Sequence, residues 1–436
     1  MNSGALLDPP DAATGRPVGA APDGPVLVER VEVDGSVDDI RDIAVATHFT
    51  AARLLVTAGG VAVGQVVVPL TRGHASAEAV RAAVHAELGQ EISRAALPLP
   101  RVATPITVVV PTRGRPESLL RCLRSVLRTN HPRLTVLVVD NDPDDERTAQ
   151  VVHDLDDGRV SYVRECRRGA SIGRNRGLSE AAARGARFVA FVDDDVEVDP
   201  EWAGNVAAAL AQPDVACVCG PVLAAELTTA AQMTADETLG WRKGFARRRF
   251  SLAEPPPESA IFPFSPGLFG VGANMAVNTE AALRIGGFDT ALGPGTPTRG
   301  GEDCEFMVRL VLTGHTLTYE PSAYVWHHHR PTMAELEDQM HGYALGLGAF
   351  LTKIMLDPAG RAAALRRLPA AIRQLRRITS RETVAEAPSS SGPQKVLALA
   401  AGATAYLAAR RRDIWAGEDL PALQPPPPAI PQQRNC

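Results

Sequence analysis

Lysine is almost missing from this chain: Lys243, Lys353 and Lys395 are the only three among 45 basic residues. Acids outnumber bases, with a net charge of −5 over 436 residues. That balance excludes a dedicated nucleic-acid binder, which carries a broad basic excess. Arginine in place of lysine, beside abundant Ala, Gly and Pro, reads as the codon bias of a GC-rich genome. Six cysteines are too few for a disulfide-stapled secreted scaffold. Cys217 and Cys219 have no second pair to complete a zinc set; Cys122, Cys166 and Cys304 read as small buried hydrophobes and Cys436 as a free thiol. No run reaches the roughly 18–20 apolar residues that span a bilayer. Met1–Gly24 holds acids and prolines where a signal peptide needs a basic patch and an apolar core, so a cytoplasmic protein is expected. The G-x-G-x-x-G and G-x-x-x-x-G-K loops are also missing, which disfavours a Rossmann dehydrogenase or a P-loop enzyme.

What is present divides by pattern. Residues 1–25 are rich in Pro, Gly and Ala without periodicity and read as disordered. Residues 26–100 alternate short β-type runs with Asp34-Gly35 and Gly59-Gly60 turns, then a helix over Ala77–Leu88 with Ser76 as N-cap: a small α+β accessory unit. Residues 105–330 carry apolar strands (Ile106–Val110, Leu134–Val139, Val160–Val163, Phe188–Val192, Val215–Cys219) alternating with helices of about 10–13 residues. That rhythm implies a mostly parallel sheet with both faces covered. Thr228–Phe250 reads as helical and Thr316–Val325 as one strand. Residues 331–412 read as a helical region and 413–436 as a disordered proline-rich tail.

In a doubly wound sheet, ligands bind outside the carboxyl ends of the strands. Thr112 and Arg113, Asp140 and Asn141, and Asp193-Asp194-Asp195 stand at three such ends. Three adjacent aspartates repel one another unless a cation offsets them, which points to a hard divalent metal, the alternative being an exposed acidic turn.

These segments resemble the family 2 glycosyltransferases. The resemblance runs through Thr107–Arg115, Val138-Val139-Asp140-Asn141, Gly173-Arg174-Asn175-Arg176-Gly177 and Phe191–Asp195. It continues through Gly272-Ala273-Asn274-Met275, Gly286-Gly287-Phe288-Asp289, Gly301-Glu302-Asp303 and Trp326-His327-His328, and so covers about residues 105–330. It implies a GT-A fold and an inverting, nucleotide-sugar-dependent glycosyltransferase. Asp140 would bind the nucleotide base, with Pro111, Thr112 and Arg113 lining its pocket and Arg174, Asn175, Asp193 and Asp194 on the donor. Asp193 and Asp195, with His328, would hold Mn²⁺ or Mg²⁺. Asp303 would be the general base, with Glu302 beside it, and Glu302, Trp241 and Arg330 would meet the acceptor. The turn departs from the family's commoner Asp-Asp-Gly-Ser by reading Asp140-Asn141-Asp142-Pro143.

The implied partners are a nucleotide-sugar donor and a glycan, lipid-linked or small-molecule acceptor. A sugar nucleotidyltransferase and a non-catalytic scaffold for glycan assembly remain the rival readings. Arg361–Ile378 has six arginines, no acid and an apolar stripe, Leu365, Leu368, Ile372 and Leu375. It either packs on the catalytic domain or lies against the anionic inner face of a membrane.

Overall fold

The computed structural model describes residues 24–33, 40–95, 97–241, 243–379 and 392–415. The N-terminal stretch 1–23, the linker 380–391 and the tail 416–436 lie outside them, so the disorder expected there is not addressed. Among the described residues no helix is long and apolar enough to cross a membrane.

The N-terminal unit is built on β1 (Val26–Glu32), β3 (Ala51–Ala58) and β4 (Val61–Pro69), ordered β1-β3-β4. Strands β2 (Ile43–Ala44) and β5 (His74–Ala75) form a separate ribbon, and helix α1 (Ala77–Ser93) covers β4. Leu54, Val56, Val66, Val80, Val84 and Leu88 share its core. Gly64 lets the helix sit close, since a Cβ there would come within 2.3 Å of Leu88.

The large sheet begins with β6 (Ile106–Thr112), helix α2 (Pro116–Leu127), β7 (Leu134–Asn141) and α3 (Arg147–Leu155). It continues with β8 (Val160–Glu165), α4 (Ala170–Ala183) and β9 (Phe188–Val192). The short β10 (Val196–Val198), α5 (Trp202–Leu210), β11 (Val215–Cys219), β12 (Val222–Ala224), α6 (Ala230–Thr238) and β13 (Arg248–Phe250) come next. Strand β14 (Asn274–Asn278), α7 (Thr279–Arg284), α8 (Glu302–Leu312), β15 (Thr316–Tyr319) and β16 (Val325–His327) complete it. Eight of these strands form one sheet in the order β13-β15-β11-β14-β9-β6-β7-β8. Strands β6, β7, β8 and β9 are parallel, while β14 runs antiparallel between β9 and β11. Alternation sends Val108, Val110, Ala190 and Val192 to one face, under α2 and α5, and Val109, Val189 and Phe191 to the other, under α4 and α8. This is the expected α/β architecture, a mostly parallel sheet covered on both faces.

Three expectations are corrected. Thr228–Phe250 is not one helix: α6 ends at Thr238, Gly240 and Gly244 take positive φ, and Arg248–Phe250 joins the sheet edge. Thr316–Val325 is not one strand, because buried Glu320 accepts from Ser322 and turns the chain. Its second half, β16, instead sits between β10 and β12 in a small three-stranded sheet. Cys166, expected as a small buried hydrophobe, is half-buried and disulfide-bonded.

Three helices follow: α9 (Met333–Leu356), α10 (Pro358–Thr379) and α11 (Gly392–Trp415). Thr332 and Glu335 form a capping box that starts α9. Helix α11 packs backbone-close on α9, where a Cβ on Gly348 or Gly402 would lie 2.1 Å from the Leu399 or Leu345 carbonyl. Tyr406 of α11 donates to buried Asp289 at 2.8 Å, and Lys353 and Arg410 each stand 3.6 Å from that carboxylate. Pro369 stands inside α10, which runs through it without a break.

Candidate active site

Parallel pairing of β6, β7 and β9 brings their carboxyl ends to one rim, with Thr112 directly opposite Asp140 in register. Asp140 is fully buried; Tyr162 donates to its Oδ2 at 2.9 Å, while Oδ1 has no protein partner. Burial raises the Asp140 carboxyl above its ordinary range, partly offset by the Tyr162 bond and by the Thr148 hydroxyl. An orphaned, buried acceptor is costly unless something supplies an N–H. Arg113 is turned to Asp142 and Asp144, and Pro111 is half-buried on β6.

The three aspartates after β9 have three different surroundings. Asp193 is about one-third exposed toward the cleft, and Arg174 donates to it at 2.9 Å. Asp194 is turned inward; Thr112 donates to it at 2.6 Å and Arg115 stands 2.6 Å away. Burial pushes Asp194 up to about 7, with Arg115 opposing. Its role is to fasten β6 to the β9 end rather than to face a donor. Asp195 meets Arg115 at 2.8 Å, His327 at 3.3 Å and Arg330 at 3.6 Å. Burial disfavours its charge, but His327 and the two arginines outweigh that and hold its carboxyl well below the usual range.

Helix α8 supplies the opposing wall. Its N-cap Gly301 takes φ +88°, and a Cβ there would meet the Gly346 carbonyl of α9 at 2.5 Å. Glu302 and Asp303 follow in the first turn, where the helix dipole favours acids. Glu302 is buried and accepts from Arg174 at 2.7 Å. Asp303 is held from both sides: Gly272 N donates to Oδ2 at 2.8 Å and Cys304 N to Oδ1 at 2.7 Å. A Cβ on Gly272 would fall 3.0 Å from the Asp303 Cβ and 3.3 Å from Arg174. Arg174 therefore bridges the two walls, Glu302 on one and Asp193 on the other.

Among the histidines, strand alternation puts His327 and His329 on the side of Trp241, whose ring lies 4.8 Å and 5.4 Å from theirs. His328, assigned to the metal from sequence, points the other way and pairs with Glu197 at 2.8 Å. The neighbour of Asp195 is His327, because antiparallel pairing of β16 with β10 places it opposite Val196. Its Nδ1 is buried with no partner. Asn175, expected on the donor, instead exchanges two 2.8 Å bonds with the Phe288 backbone and holds the Gly287 turn. Arg115 and Gly272 lie inside motifs quoted from the sequence but were given no role in the site there. An arginine at the N-cap of α2, three residues past the end of β6, carries too little signal to be found that way.

Among the described residues no three His, Cys, Asp or Glu side chains gather as a metal cage. The donor chemistry nonetheless fits a hard divalent cation of the kind bound through one or two carboxylates plus substrate phosphates. Asp193 and Asp195 are two such carboxylates on one rigid strand end.

Residues 107–269 match the family model "Glycosyl transferase family 2". The chain is 27% identical over 265 residues to the pre-mycofactocin glycosyltransferase of Mycobacterium tuberculosis, covering 59% of this chain and 50% of that protein. It is 29% identical over 238 residues to the succinoglycan biosynthesis protein ExoM of Rhizobium meliloti, covering 52% of this chain and 68% of that one. A mannosyltransferase from Pyrobaculum calidifontis, solved with GDP-Man and Mn²⁺, superposes with a TM-score of 0.42 at 18% identity, over 73% of this chain and 90% of that one. The chain spans about half the length of the mycobacterial relative. Residues 107–269, which carry the Asp140 and Asp193–Asp195 strand ends, are the part of this chain that is similar to glycosyltransferase family 2.

Proposed function

We propose that the protein is an inverting, metal-dependent glycosyltransferase that moves a sugar from a nucleotide-diphosphate sugar to a hydroxyl of a glycan, lipid-linked or small-molecule acceptor. One observation carries this reading. Arg174 ties Asp193 to Glu302, and Gly272 and Cys304 orient Asp303, so a donor-side carboxylate and a candidate base share one cleft.

The orphaned Asp140 Oδ1 suits an N–H of the nucleotide base. Asp193 and Asp195 would hold Mn²⁺ or Mg²⁺, which when bound neutralises charge developing on the diphosphate. Arg115 and Arg330, already beside Asp195, are placed to turn to the diphosphate oxygens once that carboxylate is otherwise engaged. Asp303 has spare acceptor capacity, since each oxygen uses one of its two lone pairs on backbone. It would take the acceptor's proton as the hydroxyl oxygen bonds to the anomeric carbon and the diphosphate leaves with the bonding electrons. Trp241, packed on His327 and His329, and the half-exposed Arg330 would meet the acceptor. Glu302, buried and held by Arg174, would stand beside the base rather than contact the acceptor.

The test is a panel of UDP-, GDP- and dTDP-sugars with Mn²⁺, reading release of free nucleoside diphosphate and the anomeric configuration of the product. Inverted product with nucleoside diphosphate release is expected. Retained configuration would overturn the single displacement, and release of pyrophosphate would point to nucleotidyl transfer.

A further inference from the structure

Helix α9 presents two different faces. Gly342, Gly346 and Phe350 turn to the core and to the Gly300–Gly301 cap of α8, and Leu345, Gly348 and Ala349 to α11 and the core beneath it. The remaining side carries Tyr343, Leu347, Leu351 and Met355, spaced every four residues and between 38% and 46% exposed. At 1.5 Å per residue this ridge runs for about 18 Å. Isolated exposed leucines are ordinary, but an unbroken i, i+4 row on a helix otherwise buried on two sides is not.

The ridge has a direction. Its first residue, Tyr343, lies 4.0 Å from where a Cβ on Gly300 would be, beside the cap that launches Asp303. Its other end runs into α10, which packs on α9 and leaves Leu365 and Leu368 half-exposed. Over its 22 residues α10 holds six arginines and no acid. Arg361 and Arg366 are exposed. Asp357, one turn before Arg361, is the acid next to this helix. Apolar side chains flanked by an excess of positive charge match an anionic lipid surface, the first entering the headgroup boundary and the second meeting phosphate. Another copy of this chain would bring Arg361 and Arg366 against their like, which disfavours self-association here.

We infer that the exposed α9 ridge and the exposed Arg361 and Arg366 of α10 form a face that docks on an anionic membrane, with the Asp303 cleft opening at the ridge's Tyr343 end. The acceptor class that follows, resting on the glycosyltransferase reading, is a lipid-borne hydroxyl presented at the headgroup level. The docking itself does not depend on that reading.

The experiment is co-sedimentation of the full chain with vesicles of phosphatidylglycerol and phosphatidylcholine, against phosphatidylcholine alone. Three proteins are compared: wild type, L347E/L351E and R361Q/R366Q. Wild type should pellet with the anionic vesicles only. Each arginine near such a surface is worth about a fivefold factor in partitioning, so R361Q/R366Q should bind at least about tenfold more weakly. L347E/L351E should lose a comparable factor or more. Both variants replace exposed side chains, and their circular dichroism melts and metal-dependent donor hydrolysis should match wild type. Absence of wild-type binding to anionic vesicles, or L347E/L351E binding as wild type does, would overturn the docking face. So would a wild-type dimer in sedimentation velocity that L347E/L351E dissolves, since a second copy would then cover the ridge. Donor hydrolysis missing from all three proteins would sink the glycosyltransferase reading and leave the vesicle result standing.

Discussion

Replacing Arg174 with methionine tests the bridge between the two walls of the site. Arg174 is 4% exposed and donates to Glu302 at 2.7 Å and to Asp193 at 2.9 Å. Methionine fills much of the volume and removes the charge. The two carboxylates then respond differently. Asp193 is about one-third exposed and can rehydrate, whereas Glu302 cannot. The loss therefore comes mainly from an uncompensated buried glutamate, about 3–5 kcal/mol near neutral pH. Burial, with Asp303 adding, already raises the Glu302 carboxyl above its ordinary value of 4.5, and Arg174 is what opposes that rise. In R174M the folded-state value climbs further. A carboxyl whose folded value lies above its unfolded one favours folding below the unfolded value and loses that contribution as pH rises through the folded one. The deficit of R174M should thus be small below about pH 4.5 and grow toward neutrality. Urea unfolding followed through fluorescence of Trp202, buried and bonded to Asn274 at 2.9 Å, reads this domain directly. R174M/E302Q should recover most of the loss and flatten its pH dependence. A loss below about 1 kcal/mol in R174M, or no recovery in the double variant, would refute the bridge as a buried ion pair.

D303N should lower kcat by at least about 10²-fold while donor affinity, measured by calorimetry, stays within a factor of about three. D195A should abolish the gain in donor affinity on adding Mn²⁺, and chelator should silence the wild type; unchanged turnover by D195A in chelator would refute the cation site. Substituting valine for Gly402 drives side-chain atoms into the Leu345 carbonyl, so α11 should part from α9 at a cost of about 1–3 kcal/mol, seen as new protease cleavage within residues 392–415. Arg53 and Asp236 form a buried ion pair joining the N-terminal unit to α6, so R53M should destabilise that junction by about 3–5 kcal/mol and D236N/R53M by less.

Local chemistry accounts for what was legible in the sequence. The β-α rhythm of residues 106–219 depends on alternation along each strand and on helix spacing, both short-range, so β6 to β9 and their polar ends could be read directly. The same holds for Asp303, whose place in the first turn of a helix follows from neighbouring residues. What the sequence left open depends on pairing across distance. Alternation separates His327 and His329 from His328, but only the register of β16 against β10 decides which side faces Asp195. Glycines 240 and 244 divide Thr228–Phe250, yet joining its end to the sheet needed β15 as partner. Asn175 sits in a motif that resembles donor binding, but the Phe288 backbone, 113 residues away, takes both ends of its amide. Arg115 and Arg174 are two arginines among many in the sequence; the fold alone brings each between carboxylates from different elements. Contacts of that kind join residues remote in the chain, and no window of neighbouring residues carries their free energy.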